Sequence, residues 1–290
     1  MSNIISMFNK QAQAADTIIV PSSPATQKTV ELFTVDSLPL HSERGQIENR
    51  RGLFVGRDCI NFVSDRYEIH QPSEIYQEFV SVAQQTGLEV NRVLTNPKNG
   101  GLLLSAKYAD CKIISENHNV NLTFYTSHCG KYKTFLTLDF LRVACFNQVP
   151  RLWKNNERHI FSEKHYNGSL DIKLIGSTLE AIPGIVASYN EEAGLLIEQR
   201  QNVDTFIDMC RKHYKMDVDG KQYQSKVDKL KSIYFTAPGQ RELPDSKYKA
   251  FQAVTFYNTH EGKNTMMKAE RVYIEGSENS LKFAELLRAA

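Results

Sequence analysis

The side chains with the most chemical reach stand together at Ser127-His128-Cys129, just before Gly130, in the stretch "NLTFYTSHCGKYKTFLTLDFLRVACFNQVPRL". Four uses are open to them: a cysteine nucleophile with a histidine base, a metal site, a nucleic-acid surface, or a hairpin end. A cysteine nucleophile needs its base within hydrogen-bonding reach, and successive side chains of a strand point to opposite faces, so His128 and Cys129 are poor partners. No cysteine-hydrolase signature surrounds Cys129. Cys129, Cys145, His159 and His165 supply four soft ligands, the histidines spaced as His-x5-His. The two cysteines, however, lack the two- to four-residue spacing of a zinc knuckle. The hairpin end is the simplest reading, with His128 tolerating an unusual backbone and Gly130 supplying positive φ. No catalytic residue, cofactor or metal ion is assigned.

What the turn displays is basic and aromatic. Across residues 131–173, Lys131, Lys133, Arg142, Arg151, Lys154, Arg158, Lys164 and Lys173 face only Asp139, Glu157, Glu163 and Asp171, with Tyr132, Phe135, Trp153, Phe161 and Tyr166 interleaved. Cations that neutralise phosphates beside rings on which unpaired bases stack are the two ingredients of single-strand binding. Solvated strand or helix faces with their aromatics turned inward produce the same count. A second excess of base lies in "RKHYKMDVDGKQYQSKVDKLK". Phosphate-loop, HExxH and dinucleotide motifs are absent, and "DVDGK" reads as a turn, because the acidic residue that would close a calcium loop is missing.

The elements that must position these residues are read from periodicity. Residues 1–46 are rich in Ser, Gln, Thr, Ala and Pro and are expected to form a flexible arm, with "TIIV" able to dock as an edge strand. Residues 47–170 read as an α+β domain. "GLFVGRDCINFVSDRYEIHQ" gives one or two strands, and "PSEIYQEFVSVAQQTG" a helix with Ser73 at its N-cap and Gly87 past its end. Strands follow at residues 89–94, 101–108 and 111–115, then an alternating "NLTFYTS" pairing with "KYKTFLTL". Asp139 is expected to cap a short helix carrying Phe140, Val143, Ala144 and Asn147, with a strand as the rival reading. Residues 171–290 read as a helical region. The fold class is therefore α+β: an N-terminal antiparallel sheet with a crossing helix, then a mainly helical half.

The chain has 290 residues, 41% of them hydrophobic, enough for a sizeable core. Its net charge of +2 gives no whole-chain argument for nucleic acid or membrane. No run approaches the roughly 18 apolar residues of a membrane span, and the first residues lack a signal-peptide core. Five cysteines, an odd number, suit reduced thiols, so a cytoplasmic location is expected.

Four stretches resemble a known family, the phage/plasmid-like proteins of unknown function carried by prophages, phages and conjugative plasmids. "GRDCINFVSDRYEIHQPSEIYQEFVSVAQQTG" is similar to a family run from an arginine-aspartate pair, through a tyrosine and a glutamine, to a helix. "NLTFYTSHCGKYKTF" resembles a serine-histidine-aspartate-glycine hairpin, "LRVACFNQV" an arginine-valine-x-cysteine-x-asparagine segment, and "KYKAFQAVTFYNTHEG" a helix ending on a histidine, here His260. The likeness runs over about residues 50–288. This chain departs from it in carrying Cys129 where the hairpin's acidic residue usually stands, and in lacking the tryptophan-histidine segment that opens longer members. The resemblance implies a mobile element whose genes serve DNA transfer, replication, recombination and evasion of host defence. It marks Ser127, His128, Gly130, Asn147 and His260 as structural motif residues. The outline of the N-terminal half is also similar to that of phage single-strand annealing proteins.

The expectation drawn from all this is a single-stranded nucleic-acid-binding protein that assists annealing, replication or protection of DNA. Lys131, Lys133, Arg142, Arg151 and Lys154 would lie on phosphates, with Tyr132 and Trp153 under bases. The alternative is an anti-defence or regulatory factor that occupies a host or phage protein through the helical half and the arm. A hydrolase or nuclease built on His128, His260 or a metal ion is the third reading. Single-stranded DNA and a protein are the candidate partners, self-association is compatible with either, and no membrane is expected.

Overall fold

The structure is a computed structural model. It describes residues 17–20, 28–43, 45–114, 116–130, 132–142, 147–149, 160–163, 171–260 and 276–290. The centre is an antiparallel sheet in the order β10-β9-β8-β7-β6. Its strands are β6 (Glu89–Asn96), β7 (Gly101–Ile113), β8 (Glu116–Ser127), β9 (Thr134–Arg142) and β10 (Asn147–Val149), and β11 (Phe161–Glu163) shares the outer edge of β9 with β10. Every residue from Gly101 to Ala106 is buried, as a central strand covered on both faces requires. Leu102, Leu104 and Ala106 join Val120, Leu122 and Phe124 of β8 and Leu136, Leu138 and Phe140 of β9 on the helix-covered face. Leu103, Tyr125 and Phe135, in register on the other face, form a separate small cluster.

α1 (Pro72–Gln85) packs Ile75, Tyr76, Phe79, Val82 and Ala83 against this sheet, a period set by i, i+3, i+4 and i+7. Gly87, at φ +70°, ends it. The helices α2 (Ile172–Glu180), α3 (Ile182–Glu198), α4 (Val203–His213), α5 (Tyr223–Thr236), α6 (Lys247–His260) and α7 (Ser277–Ala289) follow. Their apolar faces enter the same core as the sheet, and Tyr189 of α3 stacks on Phe140 of β9 with ring centres 5.3 Å apart. Asn190 reinforces this junction. It accepts from the Ile114 N–H at 2.8 Å and donates to the Lys112 carbonyl at 2.9 Å, at a β7–β8 turn where Ile114 has φ +48°. Asn190→Ala therefore leaves two turn groups without their protein partner, and urea unfolding is expected to show a loss of about 1–2 kcal/mol.

A second sheet, β3 (Asp36–Ser42), β4 (Gly45–Val55) and β5 (Asp58–Ser64), closes on its own core of Phe33, Val35, Leu53 and Val63. β1 (Thr17–Val20) and β2 (Lys28–Glu31) form a two-stranded ribbon, so "TIIV" is a strand.

The α+β class, the antiparallel sheet with its helix and the helical C-terminal half stand as the sequence indicated. Four local readings are corrected. Residues 28–43 form strands and bury Leu32, Phe33 and Val35, although they fall in the stretch expected to be a flexible arm. The helix begins at Pro72 with Gln71 as its N-cap, so Ser73 lies inside its first turn. The two strands expected at 101–108 and 111–115 are one, bulged between Lys107 and Ala109. Asp139 and Phe140 belong to β9, so the expected helix is not present at its start, and Asn147 pairs with Arg142 across two strands.

Candidate functional site

The hairpin between β8 and β9 ends on His128, and its geometry explains why the chain turns there. His128 is only 5% exposed. Its backbone N–H donates to the Gly100 carbonyl at 3.3 Å, and its carbonyl accepts from Asn61 Nδ2 at 2.8 Å. Nε2 lies 3.2 Å from the His70 carbonyl, which can only accept, so Nε2 carries the proton. Nδ1 is then a lone pair, and the Tyr67 hydroxyl at 3.0 Å donates to it. Burial pushes the His128 pKa down to about 4, against the His70 carbonyl bond that raises it and with the neighbouring His70 ring lowering it further. The Tyr67 hydroxyl is raised by burial and then by the nearby Cys129 thiol, so it keeps its proton. The neutral imidazole is thus saturated on both nitrogens. It locks the hairpin end to the segment between β5 and α1 and has no lone pair left for proton transfer.

The same segment is held from its other side. Arg51 Nη2 donates to the Tyr67 carbonyl at 2.6 Å. The Gln71 amide pairs with both backbone groups of Val35, at 3.0 and 2.9 Å, while the Glu74 carboxylate accepts from the Gln71 N–H. Gly100 is at φ +61°, and a Cβ there would lie 2.7 Å from Ile60 Cδ1 and 3.1 Å from His128 Cβ. Gly130, at φ +69°, has Asn61 Nδ2 where a side chain would begin to crowd.

Ser127 is buried, its Oγ 3.3 Å from Cys129 Sγ, and the thiol has no imidazole base in His128 because both ring nitrogens are engaged elsewhere. Beyond Gly130, Tyr132 is half-buried and leans edge-on against Tyr125, centres 6.1 Å apart. Lys133 is exposed and forms no ion pair among the described residues. Phe135, by contrast, is buried and cannot serve as a stacking surface. Asp139 is buried beside the Thr123 hydroxyl at 2.9 Å. The side chains of Arg142 and Asn147 lie outside the described residues, as do Lys131, Cys145, Arg151, Trp153, Lys154, His159 and His165 altogether. His260 ends α6 with its ring 4.4 Å from Phe256. The second basic stretch is partly cancelled by Arg211–Asp208 and Lys231–Asp204 pairs, and "DVDGK" is a turn closed by Gly220 N–H to the Asp217 carbonyl. Among the described residues no three His, Cys, Asp or Glu side chains converge as a metal-holding group. No described helix is long and apolar enough to cross a membrane.

The structure thus brings Ser127, His128, Gly130, Tyr132 and Lys133 to one hairpin end, and adds Asn61, Tyr67 and His70 to it. A family model described as a domain of unknown function, DUF932, matches residues 60–282. The chain belongs to this family. The DUF932 match takes in Asn61, Tyr67, Gln71 and the whole hairpin end, and reaches into α7. No curated protein and no solved structure matches. Tyr67 and Gln71 are within reach of the sequence, as the tyrosine and glutamine of the first motif, but their partners lie 61 and 36 residues away along the chain.

Proposed function

We propose that this DUF932 chain is a phage- or plasmid-encoded protein that binds single-stranded DNA without catalysis, in annealing, replication or protection of transferred strands. The observation that carries the reading is that, just past the locked hairpin end, the half-buried Tyr132 ring is followed directly by an exposed Lys133 that has no ion-pair partner among the described residues. An exposed cation one residue from an aromatic ring can meet a phosphate while the ring meets a base of the same strand. The lock at His128 supports the reading physically, because a preorganised tip loses little entropy on binding. Lys131, Arg142, Arg151 and Lys154 extend the cationic run on either side in sequence, and Trp153 adds a second ring.

The test is fluorescence anisotropy of a labelled oligothymidylate across a salt series. The logarithm of affinity is expected to fall linearly with the logarithm of salt, and Lys131→Ala with Lys133→Ala to reduce the slope by about 0.7 for each phosphate no longer neutralised. Absence of binding at low salt, or an unchanged slope in the double variant, contradicts the proposal.

A further inference from the structure

Phe62 of β5 is 61% exposed, the highest exposure of any large hydrophobic side chain among the described residues. It does not stand alone. β3, β4 and β5 place Leu38, Gly52 and Phe62 side by side in one cross-strand row, and Leu38 is 41% exposed. A Cβ built on Gly52 would meet Phe54 Cε2 at 2.7 Å and Leu40 Cδ2 at 3.2 Å, so the Phe54 ring and Leu40 lie over the bare glycine on that same face. The next row brings Arg50 opposite Ser64, and residues two apart share a face. Arg50 is exposed and forms no ion pair among the described residues. The outer face of the small sheet therefore offers a flat exposed ring, a second ring beside it, and that exposed guanidinium one row along, within diagonal reach.

An exposed phenylalanine on a sheet is usually a solitary exception. Here the ring has apolar neighbours, with the exposed Arg50 one row along on one side and the exposed Asp36, opposite Phe54, toward the other end of the face, and the arginine end suits a base over the ring with its phosphate on Arg50. Paired bases keep their faces inside the duplex, so a ring of this kind serves an unpaired strand. Asn61 couples the face to the hairpin end: its Nδ2 donates to the His128 carbonyl and its Oδ1 accepts from the Phe62 N–H at 2.8 Å. We infer that the outer face of the β3–β4–β5 sheet is a second contact for single-stranded DNA, with Phe62 stacking a base and Arg50 holding a phosphate. The inference rests on the proposed function and extends it from the hairpin tip to a second sheet.

The experiment is titration of the full chain and of Phe62→Ala, Phe62→Trp and Arg50→Ala with labelled oligothymidylate. Phe62→Ala is expected to weaken binding roughly 5- to 150-fold with its salt slope intact, and Arg50→Ala to lower the slope by about 0.7. Phe62→Trp should bind as the parent does, with quenching of indole fluorescence beyond that of the parent's own Trp153 as the strand is added. The high exposure of Phe62 keeps folding out of the comparison, and circular dichroism of each variant verifies it. Binding by the parent that persists unchanged in Phe62→Ala, or quenching in Phe62→Trp no greater than in the parent, overturns the inference while leaving the hairpin-tip reading standing. Loss of self-association in Phe62→Ala at unchanged affinity overturns it in favour of a contact between copies. A parent chain that binds no strand removes both readings together.

Discussion

Gly100→Ala is expected to lower the unfolding free energy by about 3 kcal/mol. The left-handed backbone at φ +61° costs a non-glycine residue about 1–2 kcal/mol, and forcing a methyl into a filled space costs about 1–3 kcal/mol more. Ile60 Cδ1, at 2.7 Å, is the end of a flexible side chain and can move, but His128 Cβ, at 3.1 Å, is fixed by a ring bonded at both nitrogens. Gly87→Ala is the control, since Gly87 has φ +70° and open space around it, so only the backbone cost of about 1–2 kcal/mol applies. Urea unfolding of both variants separates the two contributions. Equal losses at the two positions would mean that the packing around His128 is slack, and the hairpin end would lose its claim to rigidity.

The second large effect is on pH. His128 titrates near 6.5 in the unfolded chain and at about 4 in the fold, because burial opposes its charge. Above pH 6.5 both states hold it neutral and its contribution is fully present. As pH falls below 6.5 the unfolded chain takes up a proton that the folded chain refuses, and stability drops until about pH 4, by about 3 kcal/mol in all. In His128→Asn, which does not titrate, the slope of unfolding free energy against pH between 6.5 and 4 should be correspondingly shallower. His213, also lowered by burial and by Lys282, leaves a residual slope in both proteins. Parallel pH profiles for parent and variant would show that His128 is not the buried neutral group described.

What the sequence makes legible follows from the range of the forces involved. α1 is readable because its period lies within one element, whereas its cap is not: Gln71 is recruited by Val35, 36 residues away, and the more familiar capping serine at position 73 is displaced into the first turn. Asp139 carries a local signal for a helix start, but register with β8 overrides it, placing Phe140 in the core opposite Val120 and Asp139 against Thr123. Ala109-Asp110, which parts the two expected strands, carries a local turn signal, but cross-strand pairing runs straight through it, Ala109 with Val120 and Asp110 with Asn119, just after the bulge at Tyr108. Residues 36–50 hide their strands because most of the β3–β4 hairpin is exposed on both faces and shows no alternation. The hairpin end at His128 to Gly130 is legible from glycine and polar residues alone. Its lock is not, since Tyr67 and Asn61 reach it from more than 60 residues away. Phe62 sits in an "INFV" run that puts apolar side chains on both faces of a strand, Ile60 and Phe62 on one and Val63 on the other, and only the fold reveals which side is left open.

The most direct test is photocrosslinking of an iodouracil-substituted single strand to the full chain, with the adducts mapped by mass spectrometry. Crosslinks are expected on Tyr132 and the neighbouring hairpin peptide, and on Phe62, all abolished when unlabelled single strand competes. Adducts confined to the helices after residue 171, or none at all, would contradict the claim that the locked hairpin end meets the strand.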